Sequence, residues 1–200
     1  MDGEIVTSPE SGEQSDSRFI GSPVADLDYI NSERYKAKFS NLTEDKNLNR
    51  AIYERCKAAV IHQSGKYTED LTVLDASTGQ NLYTTSSKQN FETLYTAGMK
   101  ADIKSRPRYS LASVHNHGTN LPPSGSDLAT AGHYGYKFGV VACNDGEVYY
   151  YSIENAEPFT SGAYDFTVEK FKQRGYNVRE AMMQALDAFS KSHGLNWRVL

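Results

Sequence analysis

Three observations in the sequence predict an α/β (α+β) fold. Apolar residues at three- and four-residue spacing, typical of helices, alternate along the chain with short apolar or alternating runs typical of strands. The chain has 200 residues, of which 38% are hydrophobic and 23% charged, as expected for one domain with extensions. A turn tripeptide, Asn144-Asp145-Gly146, lies between two apolar runs and predicts a β-hairpin.

The start of the chain is predicted to be disordered and then helical. Residues 1–24 are rich in Ser, Glu, Gly and Pro, and their few apolar side chains cannot offset the entropy cost of ordering. A short helix is predicted between Asp26 and Asn41. Thr43 is predicted to cap a longer helix that stops before Gly65, with an apolar face formed by Leu48, Ile52, Cys56 and Val60.

Two strands and a helix are predicted next. Residues 69–75 alternate well enough for a strand, residues 77–79 form a turn, and residues 81–85 return as a second strand. A helix is then predicted to end near Lys104, on the spacing of four apolar residues, Phe91, Leu94, Tyr95 and Met99.

The second half of the chain continues with a strand, a short helix and the hairpin. Residues 110–117 are predicted to form the strand and residues 124–132 the helix. Residues 138–143 and 147–153 are predicted to be the two strands of the hairpin around the turn tripeptide.

Two further helices are predicted after Pro158, at residues 165–173 and 178–193. Asn177 with Glu180 resembles a capping box at the start of the second helix. This helix carries an apolar stripe that we expect to pack on the domain or on a partner, formed by Val178, Met182, Ala185, Leu186 and Phe189. The predicted organisation is therefore a disordered segment (1–24), a main domain (25–163) and a C-terminal helical extension (164–200).

Composition argues against several classes of function. The net charge of −4 provides no basic footprint for nucleic acid, and no apolar run reaches membrane-spanning length. The N-terminus lacks the pattern of a signal peptide. The two cysteines, Cys56 and Cys143, fall in predicted core positions and do not suggest a disulfide framework. We therefore expect a cytoplasmic protein that binds neither nucleic acid nor a membrane.

The segment from Ser113 to Asp127 contains most of the candidate metal-ligating and catalytic residues. His115 and His117 are two residues apart in a predicted strand, so both side chains point to the same face. Ser124 and Asp127 follow in a Ser-x-x-Asp arrangement, and the carboxylate can complete a set of three zinc ligands. Three protein ligands leave a fourth position for water, which is the arrangement of catalytic zinc sites. The alternative is that Ser124 and Asp127 only cap a helix.

This pattern resembles the JAMM (JAB/MPN) metallopeptidase motif, which consists of an upstream Glu, then His-x-His, then Ser-x-x-Asp. The resemblance covers about Asn47 to Ile153. It implies a JAMM/MPN (cytidine-deaminase-like) fold, a curved mixed β-sheet flanked by helices. It also implies a zinc metalloprotease, a hydrolase that cleaves an amide bond in a peptide or protein substrate through a metal-activated water.

The resemblance assigns a role to each residue of the motif. His115, His117 and Asp127 are the implied zinc ligands, and Ser124 is implied to stabilise the oxyanion of the tetrahedral intermediate. Glu69, at the start of a strand after the first long helix, occupies the place of the family's general base.

Other acidic residues fit the place of the base less well. Glu54 and Glu92 lie in predicted helices, and Asp70 should face away from Glu69. The chain also departs from the family pattern, because Gly118 stands where most members have Pro and no glycine follows soon after Glu69.

A narrower resemblance leaves alternatives open. The form His-Asn-His also occurs in RadC-like proteins, but the acidic balance argues against a role with nucleic acid. The run from Ala51 to Lys57 and the ending Gly194-Leu-Asn-Trp197 look like JAB-type modules of phage minor capsid (head morphogenesis) proteins. The alternative function is thus a non-catalytic or maturation-associated MPN-like module of a phage or prophage capsid, with a capsid assembly partner.

Overall fold

The centre of the molecule is a six-stranded mixed β-sheet. The structure is a computed structural model and describes residues 21–154 and 160–200. The strands within these ranges are β1 (Thr68–Asp75), β2 (Asn81–Asn90), β3 (Leu111–His117), β4 (Phe138–Cys143), β5 (Val148–Ile153) and β6 (Leu195–Val199).

Seven helices in the described part of the chain flank this sheet. They are α1 (Leu27–Ile30), α2 (Glu33–Ala37), α3 (Lys46–Gln63), α4 (Ala97–Ser105), α5 (Gly125–Tyr134), α6 (Ser161–Lys172) and α7 (Val178–Ser192). None of these helices is long and apolar enough to cross a membrane.

The strand order is β2-β1-β3-β4-β5-β6. Every neighbouring pair is antiparallel except β3 and β4, which run parallel. A parallel pair needs a crossover connection, and α5 lies in that connection. The predicted α/β class is therefore confirmed as a mixed sheet flanked by helices.

The alternation of side chains along the strands produces two cores. Ala112 and Val114 on β3 face one core, which also contains the apolar side of α3. Leu71 and Val73 on β1 face the other core, which contains the apolar stripe of α7. His115 and His117 follow the pleat of β3 to this second face.

Three predicted helix starts are wrong. Helix α6 begins at Ser161 and not at residue 165. Asp45, not Thr43, caps α3, because its carboxylate accepts hydrogen bonds from the backbone N–H groups of Asn47 and Leu48 at 2.7 and 3.2 Å. The helix predicted from Phe91 begins only at Ala97. The preceding strand β2 is longer than predicted and pairs with β1 as far as Asn90.

The C-terminal part packs onto the same sheet. Asn177 and Glu180 form the predicted capping box of α7, and most of the apolar stripe is buried. Strand β6, which follows α7, pairs with β5 and was not predicted. The predicted disordered segment lies outside the described residues as far as residue 20.

A candidate metal centre at the end of strand β3

Two buried histidines end the central strand β3. His115 and His117 are 2% and 6% exposed, respectively. Their neighbours in the parallel strand β4 are Val141 and Cys143, so the sheet fixes the backbone on that side. The Nε2 atoms of the two rings lie 3.2 Å apart. Since both nitrogens converge on one point, at least one of them needs a proton or a cation there.

Helix α5 brings Asp127 to this point. Ser124 is the N-cap residue, and its backbone N–H and hydroxyl both donate to Asp127 Oδ2 at 2.7 Å. The backbone N–H of Asp127 donates to Ser124 Oγ at 3.2 Å. The carboxylate therefore takes part in a capping box and faces the histidines at the same time. The Ser124 hydroxyl thus takes part in capping helix α5. That it stabilises an oxyanion stays a prediction.

The polar atoms of these three side chains lie close enough together to share one cation. His115 Nε2 lies 3.2 Å from Asp127 Oδ1, and His117 Nε2 lies 3.4 Å from Asp127 Oδ2. Ligands bound tetrahedrally at about 2.0–2.1 Å are about 3.3–3.4 Å from each other. Two imidazole nitrogens and a carboxylate oxygen are also common zinc ligands.

Glu69 lies beside the ligands at the start of β1. Its Oε1 is 3.9 Å from His117 Nε2, which is longer than the distances among the three other side chains. Glu69, His115 and His117 offer ligand atoms that all lie within 4.8 Å of one another, so this buried trio could hold a metal ion. Burial raises the pKa of Glu69, although the nearby histidines act against that shift.

The charged groups around the centre shift one another's pKa values. Burial alone would lower the pKa of His117, but the hydrogen bond and charge of Asp127, with the charge of Glu69, raise it to about 9. Burial would raise the pKa of Asp127, but the two histidines hold it well below its usual range. A site that favours a proton on imidazole in this way provides the negative field that also favours a metal cation.

The loop after β3 orients His117. Its Nδ1 lies 2.9 Å from the carbonyl oxygen of Leu121, which leaves Nε2 to face the centre. Arg179 of α7 in turn donates from Nε to the carbonyl oxygen of Asn120 at 3.1 Å. Gly118 is required in this loop, because a Cβ at this position would collide with the carbonyl oxygen of Lys66.

An open cleft of about 620 Å³ leads to the centre. His117, Glu69 and Asp127 line it, together with Ser124. Apolar side chains form part of its walls, and Val178 and Met182 come from α7. Sequence reasoning missed this contribution from the C-terminal part, although the apolar stripe of α7 was visible in the sequence. His62 and His133 are not among the residues that line the cleft.

Comparisons of this chain with models of known protein families, with curated proteins and with solved structures found no match.

Proposed function

We propose that the protein is a zinc-dependent peptidase or isopeptidase with a JAMM/MPN-type fold. The observation that carries the proposal is the convergence of His115 Nε2, His117 Nε2 and the Asp127 carboxylate. Its Oδ1 lies 3.2 Å from His115 Nε2 and its Oδ2 lies 3.4 Å from His117 Nε2, distances that suit zinc ligands. A buried carboxylate, Glu69, lies just beyond them at the bottom of an open cleft. The cleft can admit a substrate, as a closed structural zinc site would not.

The proposal assigns metal binding and proton transfer to different residues. His115, His117 and Asp127 would hold the ion, which when bound makes water a nucleophile near pH 7 and polarises the substrate carbonyl. Glu69 accepts the proton of the attacking water and delivers it to the leaving amine. Burial raises the pKa of Glu69, which moves this carboxylate towards the range that suits a group that both accepts and donates a proton.

The order of the secondary structure also supports this proposal. A long helix, an antiparallel strand pair, a helix, the ligand strand, a short helix and a hairpin follow each other along the chain, as the resemblance implies. The ligand strand β3 lies at the centre of the sheet, where β1 pairs with it as far as His115 and β4 pairs with it as far as His117. Rigid placement of this kind is what a catalytic metal site requires.

The test is Glu69→Gln in zinc-loaded protein, assayed by mass spectrometry on a mixed peptide library. We expect one zinc per chain in both proteins, hydrolysis by the wild type, and a loss of about 10²–10⁴-fold in the variant. Glu92→Gln is the matched control, because Glu92 lines the same cleft but lies on its exposed part. Wild-type protein that binds no zinc, or equal activity in both variants, would contradict the proposal. Zinc without hydrolysis would favour the non-catalytic assembly module.

A further inference from the structure

Asn116 stands between the two histidines of the metal centre but faces the other side of β3. Its side chain is fully buried. The antiparallel ladder between β1 and β3 runs from Asp75 and Leu111 to Leu71 and His115, where it ends. Asn116 therefore lies at the position where the regular backbone pairing with β1 has just stopped.

The carboxamide of Asn116 replaces this pairing. Its Oδ1 accepts a hydrogen bond of 2.8 Å from the backbone N–H of Asp70, and its Nδ2 donates to the carbonyl oxygen of Thr68 at 3.3 Å. These two backbone groups belong to the peptide units on either side of Glu69. A single side chain thus holds the backbone both before and after the candidate base.

The opposite side of β1 cannot hold Glu69 in the same way. The pairing of β1 with β2 is irregular between Thr68 and Asp70, so Glu69 lies at a register shift. No regular strand pair then fixes its backbone from either neighbour. Asn116 is the residue that compensates on the β3 side.

Helix α3 also contacts Thr68 and Asp70, the two residues whose backbone groups bind Asn116. Gln63 donates from Nε2 to Asp70 Oδ1 at 2.6 Å and accepts from Thr68 Oγ1 at 2.6 Å. The second carboxylate oxygen of Asp70 lies 2.6 Å from His62 Nδ1. The polar groups around Asn116 therefore form a connected network, which is stiffer than a single hydrogen bond.

We infer that Asn116 is a positioning residue that fixes Glu69 relative to the ligand pair, an inference that rests on the proposed function. Its two histidine neighbours move with the same strand, so a shift of Asn116 against β1 changes the distance between base and ligands. Asparagine suits this place because it offers one acceptor and one donor at once. Aspartate keeps the acceptor and the size but loses the donor, and alanine loses both.

The experiment compares Asn116→Ala and Asn116→Asp with Asn144→Ala. Asn144 is also a fully buried asparagine, next to the end of a central strand, but its side chain bonds the carbonyl oxygen of Pro23 and does not contact Glu69. We expect the Asn116 variants to keep one zinc per chain, to keep KM and to lose kcat by about 10–100-fold, as for a misplacement of about 1 Å. Asn144→Ala is expected to keep kcat. If Asn116→Ala does not fold, Asn116→Asp decides, because it conserves the volume.

A double variant separates positioning from a general loss of structure. If Asn116 acts through Glu69, Asn116→Ala adds less than about twofold to the loss in a Glu69→Gln background, because both changes remove the same function. Additive losses, or full kcat in both Asn116 variants, would overturn the inference.

A crystal structure of the Asn116 variant gives a readout that does not need activity. The separation of Glu69 Oε1 from His117 Nε2, 3.9 Å in the native chain, should change by about 1 Å. An unchanged separation would overturn the inference. If the wild type hydrolyses no peptide, the proposed function fails, and this distance alone decides the role of Asn116.

Discussion

The metal-free protein should lose stability as the pH rises from 6.5 to about 9. The reason is His117, whose pKa in the folded chain is raised from 6.5 to about 9. A group whose pKa is higher in the folded state than in the unfolded state stabilises the folded state. This contribution has its full size at pH values below the unfolded pKa. This contribution disappears as the pH rises through the folded pKa. The difference between 6.5 and 9 corresponds to about 3 kcal/mol of unfolding free energy.

Urea unfolding of chelator-treated wild type and His117→Gln measures this effect. The wild type should lose up to about 3 kcal/mol more than the variant over this pH range, since glutamine does not titrate. The difference is smaller than the full value to the extent that loss of the His117 charge raises the pKa of Glu69 in the variant. Cys56 and Cys143, whose pKa values burial raises, contribute equally in both proteins and cancel in the comparison. Saturating zinc should flatten the wild-type profile, because a metal ligand must be a neutral imidazole. Parallel pH profiles of the two metal-free proteins would refute the reasoning.

Two further predictions concern zinc and the C-terminal part. Zinc at one hundred times its Kd should raise the unfolding free energy of the wild type by about 2.7 kcal/mol, and His115→Ala should abolish this gain in a thermal unfolding assay. An equal gain in the variant would exclude His115 as a ligand. Leu186→Ala should lower the unfolding free energy by about 2–5 kcal/mol, because this α7 side chain is fully buried, whereas the exposed Lys191→Ala should change it by less than about 0.5 kcal/mol. Equal effects in urea unfolding would contradict intramolecular packing of the stripe.

Local signals account for most of the secondary structure that was predicted. The turn tripeptide predicted the hairpin of β4 and β5, and Asn177 with Glu180 predicted the start of α7. The start of α3 was misplaced because Thr43 and Asp45 are both good cap residues, and only their contacts distinguish them.

Non-local pairing explains what sequence reasoning missed. Residues 86–90 are polar and carry no strand signal of their own; β1 makes them a strand by pairing with them. The apolar spacing that begins at Phe91 forms a helix only from Ala97 onwards, and Phe91 and Tyr95 line the cleft instead. For β6 the signal was present, since Leu195, Trp197 and Val199 alternate with polar residues.

The candidate site was predictable only in part. The spacing of His115, His117 and Asp127 within one short segment made their proximity predictable from strand and helix geometry. Glu69 is far away in sequence, and its position near His117 depends on the register in which Leu71 faces His115. The contacts of Asn116 with the backbone of β1 depend on the same register, which a single sequence does not reveal.

The capping box of α5 has a consequence for the entropy of metal binding. Ser124 holds the carboxylate of Asp127 through two hydrogen bonds that belong to the fold and do not require an ion. An ion at the proposed site would therefore meet a side chain whose rotamer is already selected, and the cost of immobilising it, about 0.5–1.5 kcal/mol, would already be part of the cost of folding. At the proposed metal site, preorganisation of this kind would allow Asp127 to contribute to affinity without first losing conformational freedom.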